Sequence, residues 1–189
     1  MSELSASSEI TPEIVIDFKP DPISKLLTQQ TVIQVFQDSE GFLWILTQEG
    51  LSKYNGFELE NYRYSPTNEN SISSNYVTRI TEDSDGVLWI STMGGGLNRY
   101  NRTQNSFSSI FTGKDPKKSP FSNEIRTVYR SLDGNILIGY KDAFSFFNPR
   151  SGEFQHVVPK TKDHPFSGWI ERFDQASDGT IWAATDAGL

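Results

Sequence analysis

The sequence predicts an all-β fold, on the basis of three observations. One phrase of about sixteen residues occurs four times, and its turn glycines are spaced 45, 48 and 45 residues apart at Gly41, Gly86, Gly134 and Gly179. In each copy an acidic residue and this glycine separate two apolar runs, which is typical of a β-hairpin. Only residues 22–30 give a weak helical pattern. A period of about 40–50 residues in a β chain indicates propeller blades. We therefore expect a partial β-propeller of about 3.5 four-stranded antiparallel blades.

Each repeat divides into four strand-length segments. In the second copy, strands are expected from Val77, over Leu88-Trp89-Ile90, over Leu97 to Tyr100 and from Phe107. Glycine-rich or Asn-containing breaks separate them, as turns require. The propeller fragment is therefore expected over residues 31–189, with blades at about 31–65, 76–113 and 124–159 and a partial blade at about 169–189.

Residues 1–30 precede the first blade. Within them, residues 13–18 alternate like a strand, and one hypothesis makes them the outer strand of the last blade, which would fasten the ring. The alternative is a leader without fixed structure. Because closed propellers have typically 4–8 blades, we expect a piece of a larger ring. Its open edges favour pairing with the remaining blades or with a second copy.

Composition excludes several classes of function. The 17 basic and 24 acidic residues give a net charge of −7 with no long basic run, so nucleic acid is not an expected partner. The chain has no cysteine, which excludes a disulfide scaffold, cysteine-ligated metals and thiol catalysis. Apolar runs reach about five residues, as at 42–46, and the N-terminus has no signal-peptide pattern. Any membrane attachment is thus expected only through segments outside this chain.

No motif indicates catalysis, a metal or a cofactor. The run from Asp83 to Gly86 resembles the start of a calcium loop, but position twelve is Gly94 rather than Glu. We interpret it as a turn. The two histidines, His156 and His164, are interpreted as surface loop residues. No serine-hydrolase or zincin motif occurs.

Candidate ligand-binding residues come from the first strand of each blade, which lines the channel of a propeller. The aligned positions are Gln34, Arg79, Thr127 and Arg172, and their neighbours include Ile33, Thr78, Arg126 and Glu171. The three arginines Arg79, Arg126 and Arg172 would form a positive ring for carboxylates or sulfates, because guanidinium binds oxyanions bidentately. The alternative is that each pairs with a nearby acid such as Glu82, Glu124 or Glu171.

Further candidates lie in the loops that share one face of a propeller. They are Gln48, Met93, Gly94, Lys141 and Asp186, beside Tyr76 and Trp169. Aromatic side chains at a pocket mouth suit sugar rings, and the alternative role is packing between blades. The Trp44, Trp89 and Trp182 series and the Thr47, Thr92 and Thr185 series recur at the blade period. Repetition of this kind predicts core packing for the tryptophans and a structural role for the threonines.

The second repeat resembles the two-component-regulator propeller repeat. The residues that carry the resemblance are Asn70 to Asn75, Val77, Ile80, Glu82-Asp83, Gly86, Leu88-Trp89-Ile90, Thr92 and Gly95 to Asn101. The resemblance extends over about residues 30–189, although the third copy has Leu137 in place of Trp and Tyr140 in place of Thr.

This resemblance implies the periplasmic sensor region of a bacterial inner-membrane signalling protein. The output part, a histidine kinase, hybrid two-component or GGDEF-type domain, would lie outside this chain, which itself would be non-catalytic. The expected ligand is small, and it is either glycan-derived, as the resemblance implies, or anionic, as the arginine series predicts. A protein–protein scaffold and, less favoured, a propeller hydrolase or lyase are the alternatives. The aligned inner positions supply Arg, Gln and Thr with a single acid, Glu171, which favours binding over catalysis.

Overall fold

The structure is a computed structural model that describes residues 25–27, 29–159 and 168–188. The described part contains no α-helix, and Lys25 and Leu26 form a short 3₁₀ turn within the segment of weak helical pattern. The hypothesis of a ring-closing strand at residues 13–18 and the interpretation of His164 concern positions outside the described residues.

Fourteen strands are found in the described residues. They are β1 (Gln34–Gln37), β2 (Leu43–Thr47), β3 (Gly50–Tyr54), β4 (Leu59–Tyr62), β5 (Val77–Glu82), β6 (Leu88–Thr92), β7 (Leu97–Asn101), β8 (Ser106–Ile110), β9 (Thr127–Arg130), β10 (Ile136–Gly139), β11 (Phe144–Asn148), β12 (Glu153–Val157), β13 (Ile170–Gln175) and β14 (Ile181–Thr185).

The strands form antiparallel meanders in chain order. Strands β1–β4, β5–β8 and β9–β12 make three four-stranded sheets, and β13 pairs with β14 alone. These are three complete blades and half of a fourth, and the predicted fold class is confirmed. The first strands β1, β5, β9 and β13 contact one another in succession, so that they lie side by side at the inner edge of the blades.

The turn between the first two strands of each blade requires glycine. Gly41, Gly86, Gly134 and Gly179 have φ values of 91°, 76°, 84° and 91°. An L side chain rarely adopts this region, whereas glycine enters it without steric cost. This requirement explains why the glycine is the most regular feature of the repeat.

The core lies between neighbouring sheets. Trp44, Leu46 and Leu51 of the first blade pack against Leu88 and Ile90 of the second. The opposite face of the second blade, with Trp89 and Leu97, packs against the third, whose other face covers Ile170 and Phe173 of the fourth. Because side chains alternate across a strand, each inner sheet contributes one apolar face to each of two interfaces.

The prediction of core packing is correct for Trp44 and Trp89 and wrong for Trp182. The first two are buried, but Trp182 is 55% exposed. The reason is its direction: Ile181 and Ala183 face the third blade, and Trp182 lies on the other side of β14. That side would meet a following blade, and the fourth sheet is the last in the described part of the chain.

The threonine series has the predicted structural role. The hydroxyls of Thr47, Thr92 and Thr185 donate hydrogen bonds of 3.0, 3.0 and 2.7 Å to the carbonyls of Gly50, Gly96 and Gly188. Each bond spans the break between the second and third strands of its blade.

The interpretation of His156 as a surface loop residue is wrong. His156 lies on β12, opposite Ser145 of β11, and its Nδ1 is 2.7 Å from the hydroxyl of that buried serine. Its ring also meets Phe121 edge-on at 5.7 Å. The segment Glu153–Val157 alternates between the two faces of the sheet, and this places the histidine ring in a contact within the sheet rather than in a loop.

Candidate functional site

The inner strands bring three of the predicted residues to one cavity. Gln34 of β1, Arg79 of β5 and Arg172 of β13 line a cavity of about 170 Å³, together with Thr127 and Tyr129 of β9. Each blade of the described part thus contributes to the same lining. Val128 and Phe173 complete it.

A second cavity of about 120 Å³ shares Arg79 with the first. Its polar lining includes Gln48, Tyr76, Arg126 and Glu171. The Gln48 side-chain amide donates a 3.1 Å hydrogen bond to the Tyr76 hydroxyl. The Arg79 side chain therefore borders both compartments, and the candidate residue Tyr76 lines the second one.

Arg126 is paired with an acid, which is the alternative to an open binding site that the sequence left for each arginine. Its Nε lies 2.9 Å from Oε1 and 2.8 Å from Oε2 of Glu171, and each side chain is 34% exposed. The Glu171 hydrogen bond raises the pKa of Arg126 against the opposing effect of burial, and the Tyr76 hydroxyl adds to the increase. Arg126 and Glu171 neutralise each other at the edge of the second cavity.

Arg79 and Arg172 have no ion pair with an acid in the described part of the chain. The Nη1 of Arg79 donates to the Thr78 carbonyl at 2.9 Å. Burial lowers the pKa of Arg79, and the charge of Arg172 lowers it further. Glu82, the acid expected to pair with Arg79, instead accepts a 2.8 Å hydrogen bond from Arg102. Two like charges therefore lie near each other, and the nearby charge of Glu171, which acts on the pKa of Arg79 in the opposite direction, is paired with Arg126 instead.

Gln34 connects the first two blades. Its Nε2 donates to the Ile80 carbonyl at 3.3 Å, and its Oε1 accepts from the Ile80 amide at 3.1 Å. This pair of bonds copies a backbone pairing between β1 and β5. Gln34 thus forms a wall of the first cavity, and both ends of its amide are already hydrogen-bonded.

Five of the predicted residues line neither cavity, namely Met93, Gly94, Lys141, Trp169 and Asp186. The Met93 amide donates to the Tyr76 carbonyl at 3.0 Å. Lys141 forms an isolated β-bridge with Trp169, whose amide donates to Asp186 at 2.8 Å. The first contact lies within the second blade, next to β5 and β6, and the second joins the third blade to the fourth.

The sequence interpretation missed Tyr129 and Phe173 as lining residues. Tyr129 lies two positions after Thr127, on the same side of β9, and a period-two reading of the first strand would have found it. It also missed Arg102, whose guanidinium contacts Asp38, Glu40 and Glu82. No local pattern predicts that contact, because Asp38 is 64 residues away.

The described residues contain no group of three or more His, Cys, Asp or Glu side chains arranged to hold a metal. Within the same residues no helix is long and apolar enough to cross a membrane.

Comparison with known proteins agrees with the repeat. The family described as Two component regulator propeller matches residues 71–94. Histidine kinase P4 of Formosa agariphila is 43% identical over 47 residues, which is 25% of this chain and 3% of that protein.

Solved structures resemble the whole described fold. An extracellular domain described as that of a hybrid two component system of B. thetaiotaomicron matches with a TM-score of 0.71 and 26% identity over 82% of this chain. A second such domain from B. thetaiotaomicron matches with a TM-score of 0.63 and 19% identity over 84% of this chain. This chain spans 22% of the length of each. The repeat and the sheets show that the chain is a β-propeller segment, and its second repeat is similar to the two-component-regulator propeller repeat.

Proposed function

We propose that this chain is a segment of the periplasmic sensor propeller of a bacterial inner-membrane signalling protein. The output domain of that protein would be a histidine kinase. Two similarities support the proposal. The structure that is 26% identical over 82% of this chain is an extracellular domain of a hybrid two component system. The 47-residue match is to a histidine kinase.

The segment binds a small anionic ligand at its inner strands. One observation carries this statement: Arg79 and Arg172 line one cavity and have no carboxylate partner in the described part. Arg172 is exposed but Arg79 is half-buried, and a charge that is partly withdrawn from water is costly without a counter-charge. An oxyanion between the two guanidinium groups would supply that counter-charge in bidentate geometry.

The segment has no catalytic activity of its own. Among the residues that line the two cavities, one is acidic, namely Glu171. Both of its carboxylate oxygens accept hydrogen bonds from Arg126. General acid–base chemistry requires a group that is free to exchange a proton near the reacting atom. The cavities instead offer guanidinium, amide and hydroxyl groups, which recognise a ligand without transforming it.

Calorimetric titration of this chain with D-glucuronate and with sulfate tests the binding. Arg79→Gln and Arg172→Gln should each weaken binding at least about tenfold, since each removes a charge-assisted contact. Arg150→Gln is the matched control, because Arg150 is an exposed arginine paired with Asp85 at 3.0 Å and remote from both cavities. Equal binding by all variants, or no binding of either anion, would overturn the proposed anion site.

A fusion tests the location separately. Alkaline phosphatase inserted after residue 188 of the full-length protein should be active, because this enzyme folds only outside the cytoplasm. Phosphatase protein that accumulates without activity would contradict an extracytoplasmic location and leave the binding results unaffected.

A further inference from the structure

The two cavities beside Arg79 differ in charge. The larger one has Arg79 and Arg172 on its walls and no acid. The smaller one has the Arg126–Glu171 pair, with the Tyr76 hydroxyl and Gln48 amide. A ligand that spans Arg79 would therefore meet uncompensated positive charge at one end. At its other end it would meet uncharged hydrogen-bonding groups and the Arg126–Glu171 pair, whose charges cancel.

Glu171 owes its position to an irregularity in β13. The pairing with β14 shifts register between Ile170 and Arg172, so that Glu171 is the extra residue. The same shift occurs in β5 between Val77 and Arg79. Such bulges redirect a side chain. In β5 the redirected Thr78 donates to the Ile125 carbonyl of the next blade at 2.8 Å. In β13 the redirected Glu171 turns to Arg126 of the preceding blade and brings a negative charge to the site.

We propose that Glu171 determines specificity by limiting the ligand to one negative charge, so that the site takes a singly charged acid with an uncharged, hydroxyl-rich remainder. The acid group binds between Arg79 and Arg172, and the hydroxyl groups bind in the cavity of Tyr76 and Gln48. This inference rests on the proposed anion site. A second acid group at this end would find Arg126 already neutralised by Glu171, so that no counter-charge is available to it and the carboxylate of Glu171 disfavours it.

The size of the cavities agrees with a small ligand. Their volumes of about 170 and 120 Å³ are below the range of about 300–1,000 Å³ that is usual for drug-sized ligands. A six-carbon polyol acid is small and has a carboxylate at one end and hydroxyl groups along the rest, which corresponds to the two linings.

Three compounds with one carbon skeleton test the proposal: D-gluconate with one acid group, D-glucarate with two and D-glucitol with none. Calorimetric titration of the chain should give tightest binding for gluconate and at least about tenfold weaker binding for glucarate. In Glu171→Gln the affinity for glucarate should rise to that for gluconate or above, because the repelling carboxylate is gone and Arg126 is released. Glu153→Gln is the control, since Glu153 is an exposed acid on β12 paired with Lys118.

The outcomes separate this inference from the proposed function. If glucarate binds the wild-type chain as tightly as gluconate, the proposed role of Glu171 is wrong and the anion site stands. The same conclusion follows if Glu171→Gln leaves the ratio of the two affinities unchanged. If glucitol binds as tightly as gluconate, or if no acid binds, the anion site itself is wrong and the inference falls with it. Circular dichroism of each variant verifies that it is folded.

Discussion

The indole Nε1 of Trp89 donates a 2.8 Å hydrogen bond to Oδ2 of Asp83, six residues earlier. Oδ1 of the same aspartate accepts from the amides of Asp85 and Val87. Trp44 and Asp38 repeat the arrangement at the same distance. One buried carboxylate thus fixes the turn and the core tryptophan together. In the fourth copy the aspartate position holds Ala176, so Trp182 has no equivalent acceptor.

Asp83→Asn should destabilise the fold by about 1–3 kcal/mol, because the amide nitrogen would face the indole N–H and leave a buried donor unpaired. Urea denaturation followed by tryptophan fluorescence measures the change. Asp174→Asn, at an exposed position of β13, is the control. Its free energy of unfolding should differ from that of the wild-type chain by less than about 0.5 kcal/mol. Equal stability of both variants would show that the carboxylate is not required.

The stability of the fold should fall in acid partly through Asp38. Burial raises the pKa of Asp38, but hydrogen bonds from Trp44, Arg102 and the Phe42 amide together lower it below the ordinary value of 3.8. Because the pKa is lower in the folded state than in the unfolded state, the stabilisation is present above the unfolded value. It is lost as the pH falls through the folded value.

Denaturation of the chain and of Asp38→Asn between pH 7 and pH 2.5 tests this. The difference in unfolding free energy between the two proteins should be constant above about pH 5 and should shrink below pH 4. A difference that stays constant across the whole range would contradict a lowered pKa for Asp38.

Arg102 connects the first two blades through acids on both. Its guanidinium lies 2.8 Å from Asp38, 3.1 Å from Glu40 and 2.8 Å from Glu82, and its side chain is 21% exposed. Arg102→Gln should cost about 1–3 kcal/mol, because Asp38 would keep a buried charge without its partner. In Arg150→Gln the exposed pair with Asp85 is lost, and a much smaller change is expected. Chemical denaturation compares them, and equal losses would contradict a special role for Arg102.

Gly139 is required by the contact between β9, β10 and β13. A Cβ added there would lie 2.6 Å from Thr127 Cγ2 and 2.9 Å from Ile170 Cβ. Gly139→Ala should therefore destabilise by about 1–3 kcal/mol through overpacking. At Gly113 an added Cβ would meet Ser119 at an ordinary 3.5 Å, so Gly113→Ala should change the melting temperature little. If Gly139→Ala left the stability unchanged, β9 and β13 would have to move away from Gly139 without a cost in free energy.

The exposed side of β14 should promote association with a second copy. Trp182 is 55% exposed and Val35 of β1 is 57% exposed, whereas the Trp44 and Trp89 sides are covered by the next blade. Light scattering after gel filtration should show dimers as the concentration rises, and Trp182→Glu should keep the chain monomeric. A monomer at all concentrations would exclude this association.

The repeat predicted the blades because its signals are local: a glycine with positive φ, an acidic turn residue and alternating apolar positions. The same periodicity also brought Gln34, Arg79 and Arg172 into one alignment, since one position of each first strand faces the inner edge. It could not distinguish Arg126, which forms an ion pair with Glu171, from Arg79, which forms no ion pair within the described residues. That difference depends on the register shift at Glu171, and sequence spacing does not reveal a shift of one residue.

The inner cavity takes its lining from equivalent positions of successive repeats, with Gln34, Arg79, Thr127 and Arg172 each supplied by a different blade. Recombination that replaces one repeat would therefore exchange one wall of the site and leave the other three in place. Since each blade packs through the same apolar positions, such an exchange would preserve the fold. New ligand preferences can therefore arise in this architecture by duplication and replacement of whole repeats, in addition to point mutations of the lining.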